Sequence, residues 1–181
     1  MEFGELLMAC RDTTINEWTV REPMELRPDL MPPVLDELQV ARLTELAEEI
    51  DGGHPEQTRD QLSAFNREAM TELEFIDFQG IYGGQAHDTW VRKVLAKPNQ
   101  RRVADVTKLE LIELARRVMQ GDGEDHAIEF WLSLLEINIP NERVSDLIFW
   151  PDEYFGDVNY SQELSPEQVI EIALIDGEAS K

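Results

Sequence analysis

The 181-residue chain suits one large domain or two small ones, and a hydrophobic content of 42% is enough for a packed core, which excludes wholesale disorder. Its formal charge is -22, from 38 acidic against 16 basic residues, so it repels nucleic acid and anionic membranes and attracts basic proteins. Cys10 is the single cysteine, which excludes an intramolecular disulfide framework, and no apolar run or signal-peptide pattern points to a membrane, so the expected location is the cytoplasm.

The first 33 residues contain Pro23, Pro28, Pro32 and Pro33, which predict extended or irregular structure after a short N-terminal helix. A helix is expected over 34–50, with Leu35, Leu38, Leu43, Leu46 and Ile50 on its apolar side. Asp51-Gly52-Gly53 breaks it, and a second helix is expected from about 56 towards 78. Gly80, Gly83 and Gly84 interrupt again before a helix near His87–Ala96. Pro98 and Asn99 stop that helix, and the polar stretch 97–105 marks a boundary between a helical domain over 1–102 and a second domain over 103–181. The acidity is uneven: residues 1–102 hold 20 acids and 11 bases, whereas 103–181 hold 18 acids and 5 bases. Such a surface can simply solubilise the chain, or it can complement a basic partner.

Start signals are sharper in the second half. Thr107 and Glu110 form a capping box, opening a helix with Leu109, Ile112, Leu114 and Val118 on or beside its apolar side and ending at Gly121. Asp122 or Gly123 can cap the next helix, whose first turn carries Glu124 and Asp125 at the positive end of the helix dipole. Ile128, Trp131, Leu132 and Leu135 continue it. A short helix over 145–150 is stopped by Pro151. Ser165, Pro166 and Gln168 then supply an N-cap, a first-turn proline and a reciprocal amide for a last helix reaching about Ile175, with Gly177 as its C-cap. The segments 71–78 (TELEFIDF) and 107–114 (TKLELIEL) echo each other, either as a partial duplication or, the simpler reading, as two amphipathic helices with the same cap.

The short helix is the informative segment. Asp146, Phe149 and Trp150 stand at i, i+3 and i+4 and share one face, leaving Leu147 and Ile148 free to point inward. Taken alone, two adjacent aromatics beside a carboxylate fit either an interface anchor or a core plug. Other signals carry less. His54, His87 and His126 are far apart with no ligand companion at i+4, so caps and solvated faces are expected, with no metal site. Gly80, Gly83 and Gly84 lack the Lys-Ser/Thr and the βα setting of a phosphate loop. No Ser-His-Asp or Cys-His arrangement is legible, so neither an enzyme nor a cofactor is expected.

The pieces KLELIELARRVM, GEDHAIEFWLSLLE, NIPNERV, SDLIFWPDE and LSPEQVIEIAL, in that order, resemble the colicin/pyocin immunity proteins, which inhibit H-N-H DNase bacteriocins. The resemblance implies an all-α fold of four helices with a short third one, preceded here by a helical N-terminal domain. It also implies an inhibitor that docks beside the nuclease active site and blocks DNA by bulk and charge. Asp146, Phe149 and Trp150 would be the common anchor, and Glu124, Asp125, Glu129, Phe130 and Ser133 would form the exposed face of the second helix that selects the toxin. Colicin-type members carry two tyrosines where this chain has Phe149 and Trp150. The expected partner is thus a basic nuclease toxin domain, H-N-H DNase-like, with no nucleic acid or membrane partner. The alternative is a helical adaptor or regulatory protein that reuses this fold while its N-terminal domain binds the main partner.

Overall fold

The computed structural model describes residues 24–179. The short helix expected ahead of Pro23, and Cys10, lie outside them. Among the described residues there are nine α-helical segments, three 3-10 turns and no strand. The helices are α1 (Glu37–Asp51), α2 (Arg59–Ala69), α3 (Ile81–Gly84), α4 (His87–Ala96), α5 (Lys108–Gln120), α6 (Asp125–Asn138), α7 (Val144–Phe149), α8 (Pro151–Phe155) and α9 (Pro166–Ala179). The protein is all-α with a helical bundle at its C-terminal end, and α7 is the short third helix of that bundle.

Local chemistry explains most boundaries. The Asp36 carboxylate accepts the Leu38 N–H at 2.9 Å and starts α1 three residues later than expected, after the Pro32-Pro33 pair. The capping box at α5 is formed: Thr107 Oγ1 accepts the Glu110 N–H at 3.2 Å, and the Glu110 carboxylate accepts the Thr107 N–H at 2.8 Å. Ser165 and Gln168 make the same exchange at α9, at 3.3 and 2.8 Å. Gly121 ends α5 in the left-handed conformation, φ 62°.

Several expectations are corrected. The helix expected over 56–78 stops at Ala69, because Met70 turns left-handed (φ 53°) and Asn66 captures the chain beyond it. The Asn66 side chain donates to the Leu73 carbonyl at 2.8 Å and accepts the Leu73 N–H at 2.9 Å and the Thr71 hydroxyl at 2.8 Å. Residues 71–74 are therefore non-helical and Phe75–Phe78 form a 3-10 turn, so the echo between 71–78 and 107–114 is not a repeated helix. The N-cap of α6 is Glu124, without a side-chain bond, rather than Asp122 or Gly123. Pro151 ends α7 by forcing Trp150 out of helical geometry (φ -140°, ψ 60°), yet it also sits at the first position of α8. The last helix runs through Gly177 to Ala179. Leu38 and Leu109 are exposed; the buried stripes are Val40, Leu43, Ala47 and Ile50 on α1, and Leu111, Leu114, Ala115 and Val118 on α5.

Two hydrophobic cores result. The first joins the buried stripe of α1 to Phe65 and Ala69 of α2, Phe78, Ile81, and Val91 and Val94 of α4. Phe65, Phe78 and Trp90 pack there as an aromatic trio with centroids 4.9–5.7 Å apart. The second joins α5, α6, α7 and α9, with Trp131, Leu134, Leu147 and Ile170 among its members. Leu26 and Leu30, which precede the first core in sequence, insert into this second core. They form a strap over 24–31. Trp131 donates its indole N–H to the Leu30 carbonyl at 3.1 Å, and Arg27 pairs with Asp105 at 2.8 Å and Glu110 at 3.0 Å. Helix α4 packs across α6, where Lys93 pairs with Glu129.

Candidate functional site

Helix α7 is amphipathic over only six residues. Val144 and Leu147 are buried and Ile148 packs against the same core, so the opposite side must face out. Phe149 and Trp150 stand there 46% and 52% exposed, with ring centroids 5.6 Å apart. The aromatic pair does not plug the core.

Asp146 lies on the same side but is not a free carboxylate, since it accepts Arg143 Nε at 2.7 Å. Arg143 is itself a staple. Its Nη2 donates to the Glu153 carbonyl at 3.2 Å, and its guanidinium lies 4.9 Å over the Tyr154 ring. Asn141 reinforces the bend, donating to the Tyr154 hydroxyl at 2.8 Å and accepting the Arg143 N–H at 2.9 Å. The bend at Trp150 is thereby fixed from behind, and the two aromatics project from a rigid corner.

The aromatic surface extends past the residues picked out in the sequence. Phe155 meets Tyr154 at 5.2 Å and Tyr160 at 4.8 Å between centroids, and burial pushes the Tyr160 phenol above its ordinary pKa. The signal for these residues was the aromatic density of PDEYFGDVNY; the signal for Arg143 was its isolation in an acidic stretch. Residues 144–175 carry seven acids and no base.

The face expected on α6 is only partly available. Glu124 and Asp125 are exposed, Ser133 is half-buried, and Glu129 is engaged by Lys93 of α4. Phe130 is 1% exposed and belongs to the second core, which corrects its placement on the open face. Apolar residues at 127, 128, 130, 131, 132, 134 and 135 surround most of α6, so the helix is covered on more than one side. Two of the histidines differ from solvated caps: the His87 ring lies 3.0 Å from Asp51 and both side chains are nearly buried, while His126 Nδ1 is 3.5 Å from Glu124. His54 is exposed, its Nδ1 3.5 Å from the Glu56 N–H. Among the described residues no group of three or more His, Cys, Asp or Glu side chains is placed to hold a metal ion. No helix among them is long and apolar enough to cross a membrane.

The family described as colicin immunity protein / pyocin immunity protein matches residues 103–175, from the turn leading into α5 through most of α9. The uncharacterized protein YezA of Bacillus subtilis (strain 168) is 39% identical over 69 residues, which are 38% of this chain and 88% of YezA. No solved structure matches the chain. With the α5–α9 bundle, its short third helix and nearly the full length of a relative all falling in one stretch, the chain belongs, through residues 103–175, to the colicin/pyocin immunity protein family.

Proposed function

We propose that this protein is a non-enzymatic, cytoplasmic inhibitor that neutralises a basic nuclease toxin, H-N-H DNase-like, by covering the surface beside its active site. The observation that carries the reading is the exposed Phe149–Trp150 pair at a rigid corner of a segment that holds only acids. A DNase must present a basic groove, because phosphate contacts dominate its affinity for DNA. Seven carboxylates answer that groove and speed encounter, while a desolvated aromatic cluster slows dissociation. Asp146 contributes in a particular way: held by Arg143, it offers its remaining lone pairs to a cationic or amide donor without having to be ordered on binding. Glu124 and Asp125 extend the acidic field along the open end of α6, and Ser133 borders it.

The test uses a catalytically inactivated H-N-H nuclease domain from the toxin gene adjoining this protein's own. Phe149→Ala and Trp150→Ala should each weaken binding by about 2 kcal/mol or more, a hot-spot magnitude. Their melting temperatures should stay near that of the parent, since both side chains are about half exposed. Folded variants that bind with unchanged affinity and unchanged stoichiometry would remove this surface from the interface.

A further inference from the structure

Residues 34–96 repeat the architecture of the family domain in a register the sequence echo does not reveal. The order of elements is the same: two long helices, two short helical turns, then a long helix. These are α1, α2, Phe75–Phe78, α3 and α4 in the first half, and α5, α6, α7, α8 and α9 in the second. Glycines follow the opening helix in both, Gly52-Gly53 and Gly121 with Gly123. The packing partners match as well, α1 lying against α2 and α4 as α5 lies against α6 and α9.

The core positions coincide helix by helix. The fourth, seventh and eleventh residues of α1 are the buried Val40, Leu43 and Ala47; those of α5 are the buried Leu111, Leu114 and Val118. At the same places α2 has Leu62, Phe65 and Ala69, and α6 has Ile128, Trp131 and Leu135; the first of each trio packs at the core edge and the others are buried. The fifth and eighth residues are Val91 and Val94 on α4, and Ile170 and Ala173 on α9, all buried. A shared order of elements could arise from any small helical bundle. A shared register on all three long helices, with the same helix pairs in contact, points to one unit used twice.

In the first unit the short turns hold the place that α7 and α8 hold in the second, and they too present apolar side chains outward. Ile76 is 69% and Tyr82 85% exposed. The turn bearing Tyr82 is fixed from behind, as the corner at Trp150 is. The Asp51 carboxylate accepts the N–H groups of Gly80 and Tyr82 at 3.0 Å each and meets His87 Nε2 at 3.0 Å. The charge pattern is repeated, since residues 68–91 carry five acids, Asp77 beside Ile76 among them, and no base. An acidic, rigid end with exposed apolar side chains matches the same class of occupant as the C-terminal one.

We propose that residues 34–96 are a second immunity-type unit whose short-turn end, with Ile76, Asp77 and Tyr82, binds a second basic nuclease domain. This rests on the reading of the Phe149–Trp150 surface given above. The experiment is the stoichiometry of the full chain with the inactivated H-N-H nuclease domain, by sedimentation velocity and titration calorimetry. Two nuclease domains per chain are expected. The double variant Ile76→Ala/Tyr82→Ala should bind one, through the C-terminal unit with unchanged affinity, and Phe149→Ala/Trp150→Ala should bind one through the first unit. All four side chains are exposed enough that the variants keep their fold, checked by their melting temperatures. A 1:1 complex unaffected by Ile76→Ala/Tyr82→Ala but lost with Phe149→Ala/Trp150→Ala overturns the second site and leaves the first reading standing. A 1:1 complex with the reverse pattern keeps a site on the first unit, rejects the C-terminal surface and overturns the bivalent chain. No complex with the parent chain rejects both.

Discussion

Two carboxylates do structural work from inside the fold. Glu113 is buried on α5 and receives Arg116 through two bonds at 2.8 Å and Arg117 at 2.9 Å. Burial alone would raise its pKa, but the two guanidiniums outweigh it and hold the carboxyl below its usual range. Asp51 behaves alike: desolvation pushes its pKa up, and the N–H groups of Tyr82 and Gly80, with His87, bring it below the ordinary value. A carboxyl held lower in the folded chain than in the unfolded one favours unfolding once protonated. Its stabilising contribution is complete above the ordinary carboxyl range, about pH 4, and is lost as pH falls through the lower folded value. Urea melts from pH 6 down to pH 3 should therefore show stability falling, and Glu113→Gln should flatten part of that fall. An identical acid dependence in the variant would mean that Glu113 is not held low. The residue-level logic of Glu113 was hidden from the sequence, because an acid with arginines at i+3 and i+4 has the same spacing whether it is buried or solvated.

Among the elements, the caps were legible and the stops often were not. Thr107 with Glu110 and Ser165 with Gln168 are codes written within four residues, and each forms the bonds its spacing implies. The end of α2 uses no glycine or proline; a long-range claim by Asn66 on Thr71 and Leu73 ends it, which periodicity cannot register. Phe130 illustrates a further limit: its place on α6 was legible, but not that the helix would be covered on more than one side. The face of α7 was legible because only one arrangement of SDLIFW buries Leu147 while leaving Asp146, Phe149 and Trp150 together. The strap over 24–31 was not legible at all, since nothing local ties Leu30 to Trp131, a hundred residues on. Leu30 is fully buried in the second core. Leu30→Ala should therefore cost about 2–5 kcal/mol, as for other large-to-small core changes. The loss should appear in the unfolding of residues 103–175 by hydrogen exchange. Exchange that changes only in residues 34–96 would detach the strap from the C-terminal core.

At the scale of the whole molecule, the chain carries a charge of -22, and the segments 68–91 and 144–175, which hold the short turns of the two units, contain no base. Such a field acts at a distance and is screened beyond about 8 Å at physiological ionic strength. Association with the nuclease domain should slow markedly as salt rises, while dissociation, set by the aromatic contacts, should change little. Stopped-flow association across ionic strength reads this; a flat on-rate would assign the acidity to solubility alone. The most direct measurement, however, is DNA cleavage by the active H-N-H domain titrated with this protein. Cleavage should cease once the inhibitor's binding sites match the nuclease domains in number, and Trp150→Ala placed in the Ile76→Ala/Tyr82→Ala background, folded to the same melting temperature, should need a large excess to do the same. Cleavage that continues undiminished with the intact protein in excess would contradict the proposed role as a nuclease inhibitor.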